Sequence, residues 1–190
     1  MVPTHDFRHE VKFTLPAMLA GDLRHWINSH SNAFYAQYPP RQVNNIYFDT
    51  YEYGFKEDHL NGVFQREKLR FRWYGESWKA SNGQLELKMK RGRIGGKQVF
   101  KINETIDLTR YTWKQIKTFL TADSELISNW LQATYPVMVN RYQREYFSSA
   151  DGIVRITLDQ GLIAYDQTFG LSPNLCFGKP IDDLIIIELK

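Results

Sequence analysis

Apolar and polar residues alternate with a period of two over several stretches of this chain. The alternation is sharpest in Gln65-Arg66-Glu67-Lys68-Leu69-Arg70-Phe71-Arg72-Trp73-Tyr74. Lys68, Arg70 and Arg72 fall on one face of a predicted β-strand, and Leu69, Phe71 and Trp73 on the other. Leu85 to Lys90 repeats the pattern, with Glu86, Lys88 and Lys90 opposite Leu85, Leu87 and Met89. Ile153 to Asp159 sets Arg155, Thr157 and Asp159 against Val154, Ile156 and Leu158. At the chain's end Glu188 and Lys190 share a face, and near its start Arg8, Glu10 and Lys12 do so within a strand predicted over Phe7 to Thr14. Val43 to Asp49 and Val137 to Phe147 also read as strands, with Tyr142, Arg144 and Tyr146 together on one face of the second. Val99 to Ile106 reads as another, and Ile163 to Tyr165 as a short one.

A period near 3.6 marks the helices. Leu19, Leu23, Trp26 and Ile27 follow Pro16 at that spacing and predict a helix packed on a sheet. Trp113, Ile116, Phe119 and Leu120 form a second stripe, and Leu126, Ile127, Trp130 and Leu131 a third, capped by Asp123 or Ser124. These stripes are expected to be core. A shorter helix fits between Tyr51 and Leu60. Asn61-Gly62, Asn82-Gly83 and Asp151-Gly152 mark turns. Ser29 to Pro40 and Thr168 to Pro180 read as loops.

At 190 residues the chain fits one domain, and 43% apolar with 24% charged residues is ordinary for a globular protein. A net charge of +3 excludes a general polyanion-binding tail, so the basic residues matter by clustering rather than by excess. The single cysteine, Cys176, excludes an internal disulfide or a multi-cysteine zinc site and is compatible with a cytoplasmic location. The most apolar run, Leu184 to Ile187, is strand-sized, so neither a signal peptide nor a membrane segment is expected. The five histidines form no convincing ligand pair with an acidic partner.

One charged row is also the ordinary wet face of a sheet; its recurrence makes it candidate chemistry. Cations two residues apart on a strand lie about 7 Å apart. Each neighbouring pair then repels by about 2.4 kcal/mol at an effective dielectric of about 20, and by about 0.6 kcal/mol in bulk water. Rows of this kind are tolerable when fully solvated and require an anion when they line an enclosed surface. With few helices to cover the outside, an α+β fold is expected: a sheet closed into a β-barrel, with helices packed on its outer face and the charged residues pointing inward. Arg and Lys suit phosphate oxygens, and the interleaved Glu and Asp either pair with the cations or hold a hard divalent metal. The basic, glycine-rich turn Lys90-Arg91-Gly92-Arg93-Ile94-Gly95-Gly96-Lys97 either presents N–H groups and cations to phosphate or is simply a hairpin tip. It is not a P-loop, because Arg91 stands at the first glycine position and Gln98 follows Lys97.

The chain resembles the VTC domain, the polyphosphate polymerase domain of vacuolar transporter chaperone complexes, within the triphosphate tunnel metalloenzyme (CYTH-like) superfamily. The resemblance is carried, in order, by Arg8-His9-Glu10-Val11-Lys12-Phe13, Asn45-Ile46-Tyr47-Phe48-Asp49-Thr50, Lys68 to Gly75, Leu85-Glu86-Leu87-Lys88, Asn140 to Phe147, Val154 to Asp159 and Ile187-Glu188-Leu189-Lys190. It implies an antiparallel β-barrel tunnel that binds ATP and polyphosphate, or another triphosphate, through the phosphates. Lys12, Arg70, Arg72, Lys88, Arg144 and Arg155 look like its phosphate-binding cations. Lys97 looks like a further basic residue near the tunnel mouth, and Lys68, Lys90 and Lys190 lie on the same charged faces. Glu188, with Glu86 and Glu10 as weaker candidates, looks like a ligand for Mn2+ or Mg2+. The implied reaction moves the γ-phosphoryl of ATP onto a growing polyphosphate chain, chiefly by positioning and charge neutralisation.

VTC-like domains normally continue past the last strand into a helix and a basic Ser-Lys-aromatic segment. The sequence ends at Lys190, so the expectation is one tunnel domain over 1–190 without that cover, closed by a protein partner or shortened. A triphosphatase of the same superfamily and a non-catalytic polyphosphate or nucleotide binder remain open alternatives. The superfamily's Glu-x-Glu-x-Lys signature has Arg8 in place of its first Glu, which lowers the hydrolase reading. Nucleic acid is not an expected partner, since regular alternation fits a tunnel better than a stacking groove.

Overall fold

The computed structural model describes residues 10–92, 94–121, 125–181 and 183–190, with residue 94 described for its backbone only. The fold is α+β: a mostly antiparallel sheet with four α-helices among the described residues. The strands are β1 (Val11–Pro16), β2 (Tyr35–Asp49), β3 (Gln65–Tyr74), β4 (Lys79–Ala80), β5 (Gly83–Arg91), β6 (Ile94–Ile102), β7 (Ile106–Asp107), β8 (Tyr135–Ser148), β9 (Arg155–Asp166), β10 (Gly178–Pro180) and β11 (Leu184–Leu189). The helices are α1 (Ala20–Ser29), α2 (Gly54–Leu60), α3 (Trp113–Thr121) and α4 (Glu125–Gln132). The main sheet runs in the order β1-β11-β9-β8-β2-β3-β5-β6, with β10 against β9; β4 and β7 form a separate small ladder.

The chain divides into two compact units, and the boundary crosses β2, β8 and β9. One unit holds Asn44–Asn140 and Ala164–Gly178. Its apolar residues come from the expected faces: Leu69, Phe71 and Trp73 of β3 and Leu85 and Leu87 of β5 are buried, with Trp113, Ile116 and Leu120 of α3 and Ile127 and Leu131 of α4. Phe71 stacks on Trp73 with ring centroids 5.8 Å apart. Gly83 opens β5 because nothing larger fits: a Cβ there would lie 2.2 Å from Cζ of Phe71.

The other unit holds the described chain up to Val43 with Arg141–Ile163 and Lys179–Lys190. β1 pairs with β11 and β11 with β9, both antiparallel. Ile27, Phe34, Phe147, Ile156, Leu158, Ile185 and Ile187 form its core, with Leu15, Leu23 and Leu189 packed against it. Arg24 of α1 ties the helix to the sheet, donating to Glu145 of β8 at 2.6–3.1 Å and to Gln160 of β9 at 3.1 Å. The apolar side chains thus lie on the helix-covered face, as expected for charged residues turned the other way.

Some expectations are corrected. The loop read over Ser29 to Pro40 is strand from Tyr35 onward. Proline's fixed φ suits an extended chain, and residues 35–40 are exposed, so Pro39 and Pro40 leave no buried partner unbonded. The short strand at Ile163 to Tyr165 is the end of β9, which passes through Gly161 at φ +64°. The basic turn is tighter than its composition implies, since Gly95, Gly96 and Lys97 already belong to β6. The strand read over Val99 to Ile106 is divided between β6 and β7. Trp26 and Leu126, expected in the core, are about half exposed. The predicted caps at Asp123 and Ser124, and Phe7, Arg8 and His9 of the first strand, lie outside the described residues.

Candidate functional site

The predicted site residues gather into two clusters, one in each unit. The first lies on β3, β5 and β6. Antiparallel register sets Arg66 opposite Lys90, Lys68 opposite Lys88, Arg70 opposite Glu86 and Arg72 opposite Gln84. One strand further, Lys88 faces Lys97, Glu86 faces Val99 and Gln84 faces Lys101. Cross-strand partners stand about 5 Å apart, so Lys68, Lys88 and Lys97 form a row of three ammoniums on adjacent strands. Their repulsion, about 3 kcal/mol per neighbouring pair at an effective dielectric of about 20 and under 1 kcal/mol in water, keeps such a row at a wetted or anion-bound surface. All three side chains are exposed.

The arginines of this face sit deeper. Arg70 donates to Oε2 of Glu86 from Nε at 2.7 Å and from its terminal nitrogen at 2.6 Å. Burial disfavours the charged guanidinium, but Tyr47 and Glu86 outweigh burial and favour it. Glu86 is 3% exposed, with Lys97 at 3.9 Å from its other oxygen. Burial raises the Glu86 pKa, but the charges of Arg70, Arg72 and Lys97 outweigh burial and hold it below the ordinary glutamate range. Arg72, 7% exposed, donates from Nε to Oδ1 of Asn45 at 2.7 Å, and Nδ2 of Asn45 donates to Oδ1 of Asn140 at 2.8 Å.

The second cluster lies on β1, β11, β9 and β8. Register sets Lys12 opposite Glu188 and Glu188 opposite Thr157. Backbone bonds of 2.9 Å in both directions set Arg155 opposite Lys190. Glu188 is the hub, with one oxygen 3.2 Å from Lys190 Nζ and 3.6 Å from Lys12 Nζ, and the other 3.9 Å from Arg144. Glu10 reaches Lys12 at 3.0 Å and Lys190 at 4.0 Å. Arg144 makes a two-pronged bond to Asp159, with both contacts at 2.5 Å. Burial raises the Glu188 pKa, yet hydrogen bonding with Glu10 and the charges of Lys190 and Lys12 pull it down to about 2.

All ten predicted cations are therefore placed: Lys68, Arg70, Arg72, Lys88, Lys90 and Lys97 in the first cluster, and Lys12, Arg144, Arg155 and Lys190 in the second. The predicted metal set divides. Glu188 and Glu10 share the second cluster, whereas Glu86 belongs to the first as the partner of Arg70. Among the described residues no group of three or more His, Cys, Asp or Glu side chains is placed to hold a metal ion. Glu188 and Glu10 lie together, and the cations around them are Lys12, Lys190 and Arg144.

Sequence reasoning missed Asn45, Tyr47, Asn140 and Asp159 as contributors. Alternation along the strand at Val43 to Asp49 does place Asn45 and Tyr47 together, and Asp159 shares the Arg155 face; their neutral or acidic character hid them beside the cations. Arg66, whose buried Nε has no hydrogen-bond partner among the described residues, and Lys101 extend the same face of the first cluster. Cavities of about 310 and 510 Å³ lie along the 166–177 loop, and no predicted site residue lines either of them.

No helix of the described residues is long and apolar enough to cross a membrane. No curated protein matches this sequence. Among solved structures, a Mediator head module from Schizosaccharomyces pombe is similar at 8% identity and a TM-score of 0.51, over 95% of this chain and 79% of that one. A putative adenylate cyclase from Vibrio parahaemolyticus is similar at 10% identity and a TM-score of 0.49, over 95% and 75% of the two chains. A putative adenylyl cyclase from Hippeastrum, described as having a dominant triphosphatase activity, is similar at 17% identity and a TM-score of 0.45, over 95% and 77%. The family model of the VTC domain matches residues 7–190, and the chain belongs to the VTC domain family.

Proposed function

We propose that this protein binds the phosphates of ATP and of polyphosphate through its basic strand faces and transfers the γ-phosphoryl group of ATP to the end of a polyphosphate chain. The observation that carries the reading is the face shared by β3, β5 and β6. There Lys68, Lys88 and Lys97 stand in register beside the half-buried Arg70 and the buried Arg72, with Glu86 the carboxylate among them. A face this rich in cations next to partly desolvated guanidiniums suits a ligand with many phosphate oxygens, and membership of the VTC family supports the same choice.

In the transfer a terminal oxygen of the acceptor chain forms the new bond to the γ-phosphorus. The bond from that phosphorus to the β,γ-bridging oxygen breaks, and ADP leaves with the electron pair. The protein's part is to hold donor and acceptor in line and to neutralise charge on the equatorial and leaving oxygens. Arg70, steadied by Glu86, and Arg72, steadied by Asn45, present fixed N–H groups, while the exposed lysines supply charge with little rigidity. Lys12, Lys190 and Arg144 offer the same service around Glu188. A Mn2+ or Mg2+ ion held by Glu188 and Glu10 would add neutralising charge at the phosphates.

The test incubates the purified chain with ATP and manganese, resolves products by gel and measures free phosphate. Long phosphate chains with ADP, lost on Arg70→Lys, are the expected result. Free phosphate without chains would replace the polymerase with a triphosphatase. Tight polyphosphate binding without turnover would leave a binding module.

A further inference from the structure

The cationic face of β3, β5 and β6 does not end at its row of three lysines. Two residues further toward the β5–β6 hairpin, register sets Arg66 of β3 opposite Lys90 of β5, and Lys90 opposite Gly95 of β6. Arg66 has the strand parity of Lys68 and Arg70, and Lys90 that of Lys88, so both stand on the charged face. The third position of this row carries no side chain. A Cβ at Gly95 would meet the Met89 carbonyl oxygen at an ordinary 3.8 Å, so the position has room for a side chain and is left open.

Arg66 differs from the arginine deeper on its strand. Arg70 is paired with Glu86 at 2.6–2.7 Å. Arg66 is half-buried, and its buried Nε–H finds no acceptor among the described residues. Its cross-strand neighbour, Lys90, is a like charge. A buried donor without an acceptor is costly, and so is a half-buried guanidinium opposite an ammonium. One bound anion removes both penalties, accepting from Arg66 and neutralising Lys90.

We infer that Arg66 and Lys90 form an outer phosphate subsite, open on the Gly95 side, which takes a unit of a linear polyphosphate further along the chain than the units at Arg70. The inference rests on the phosphate-binding reading above and adds to it a source of chain-length preference. Arg66 lies four residues from Arg70, about 13 Å along the strand, whereas Arg70 and Arg72 are about 7 Å apart. A chain that engages Arg66 as well must therefore run further along the face than one that engages Arg70 and Arg72 alone. The row of Lys68, Lys88 and Lys97 lies between, so the cationic path is unbroken.

The test measures, by calorimetry on the purified chain, affinities for tripolyphosphate and for linear polyphosphates of increasing defined length. In wild type the affinity is expected to rise with length and then level off. Arg66→Gln removes the charge and keeps a polar side chain. It should lower the ratio of long-chain to tripolyphosphate affinity about tenfold, the worth of one charge-assisted contact. Gly95→Glu sets a carboxylate into the open position of the row while Arg66 remains. It should lower the same ratio by about as much, and it carries the test should Arg66→Gln fail to fold.

A second readout needs no ligand. Arg66→Met removes a buried donor that has no acceptor, so the melting temperature should hold or rise. A marked fall would make Arg66 a structural residue and overturn the subsite. A wild-type affinity that does not grow beyond tripolyphosphate, or a ratio unchanged in the variants, overturns the subsite and leaves the phosphate reading intact. A wild type that binds neither tripolyphosphate nor longer chains overturns both.

Discussion

Arg70 and Glu86 show how one residue pair serves stability and binding in different ways. Glu86 is 3% exposed and takes two hydrogen bonds from Arg70. Arg70→Ala should destabilise the fold by about 3–5 kcal/mol, since removing one member of a buried pair strands the other; the Lys97 contact at 3.9 Å keeps the loss toward the lower end. Replacing both members, Arg70→Met with Glu86→Leu, should recover most of that stability in chemical denaturation, because a buried ion pair and well-packed apolar side chains are often nearly equivalent. The double variant should still fail to bind tripolyphosphate. Recovered binding would show that the Arg70 charge is structural only. Individual residues also show what was legible in sequence. Period-two alternation put Lys68, Arg70 and Arg72 on one face of a strand and Glu86 and Lys88 on one face of another, and register then made them neighbours. The roles of Asn45 and Asn140 were not legible, because an asparagine on a strand has no preferred partner until the fold supplies one.

At the scale of the elements, β5 and β9 each depend on a glycine for a physical reason. A Cβ at Gly83 would lie 2.2 Å from the ring of Phe71, which is fully buried and cannot yield. Gly83→Ala should cost about 1–3 kcal/mol, as overpacking does, seen as a lower urea midpoint. Gly161 meets no such crowding, but its φ of +64° is a conformation that a side chain disfavours. Gly161→Ala should cost about 1 kcal/mol through backbone strain alone, and Gly161→Asn less. Helix and strand types followed from periodicity wherever one face was clearly apolar. They were lost where composition and conformation part company. Tyr35 to Pro40 looks like a loop because prolines are rare in strands, yet its exposed backbone tolerates them. The glycine-rich hairpin between β5 and β6 looks like a wide turn, yet Gly95 and Gly96 lie in the ladder opposite Lys90 and Met89.

For the molecule as a whole, the acid limb of stability follows from its buried carboxylates. Glu188 is held at about 2, and Glu86 is also held below its ordinary value. A carboxylate whose folded pKa is depressed contributes stability that is fully present above its unfolded pKa, about 4.3 for glutamate. That contribution is lost as pH falls from there toward the folded value. The melting temperature should therefore hold above pH 5 and drop steeply between about pH 4.3 and pH 2, and Glu188→Gln should flatten the drop. Antiparallel strands carrying charge on one face were readable from the sequence, and membership of the VTC family agrees with them. The grouping of Glu188 with Glu10, and of Glu86 with Arg70, depends on which strands become neighbours, which alternation alone does not determine.

The central claim is that these basic faces handle phosphate chains chemically. Its most direct test follows radiolabelled γ-phosphate from ATP, in the presence of manganese, with products separated by size. The account predicts label in phosphate chains that lengthen with time, an equal amount of ADP, and loss of both on Arg70→Lys in a protein that remains folded. Label that stays in ATP, together with no binding of polyphosphate, would contradict the account and reduce the charged rows to solvated sheet faces.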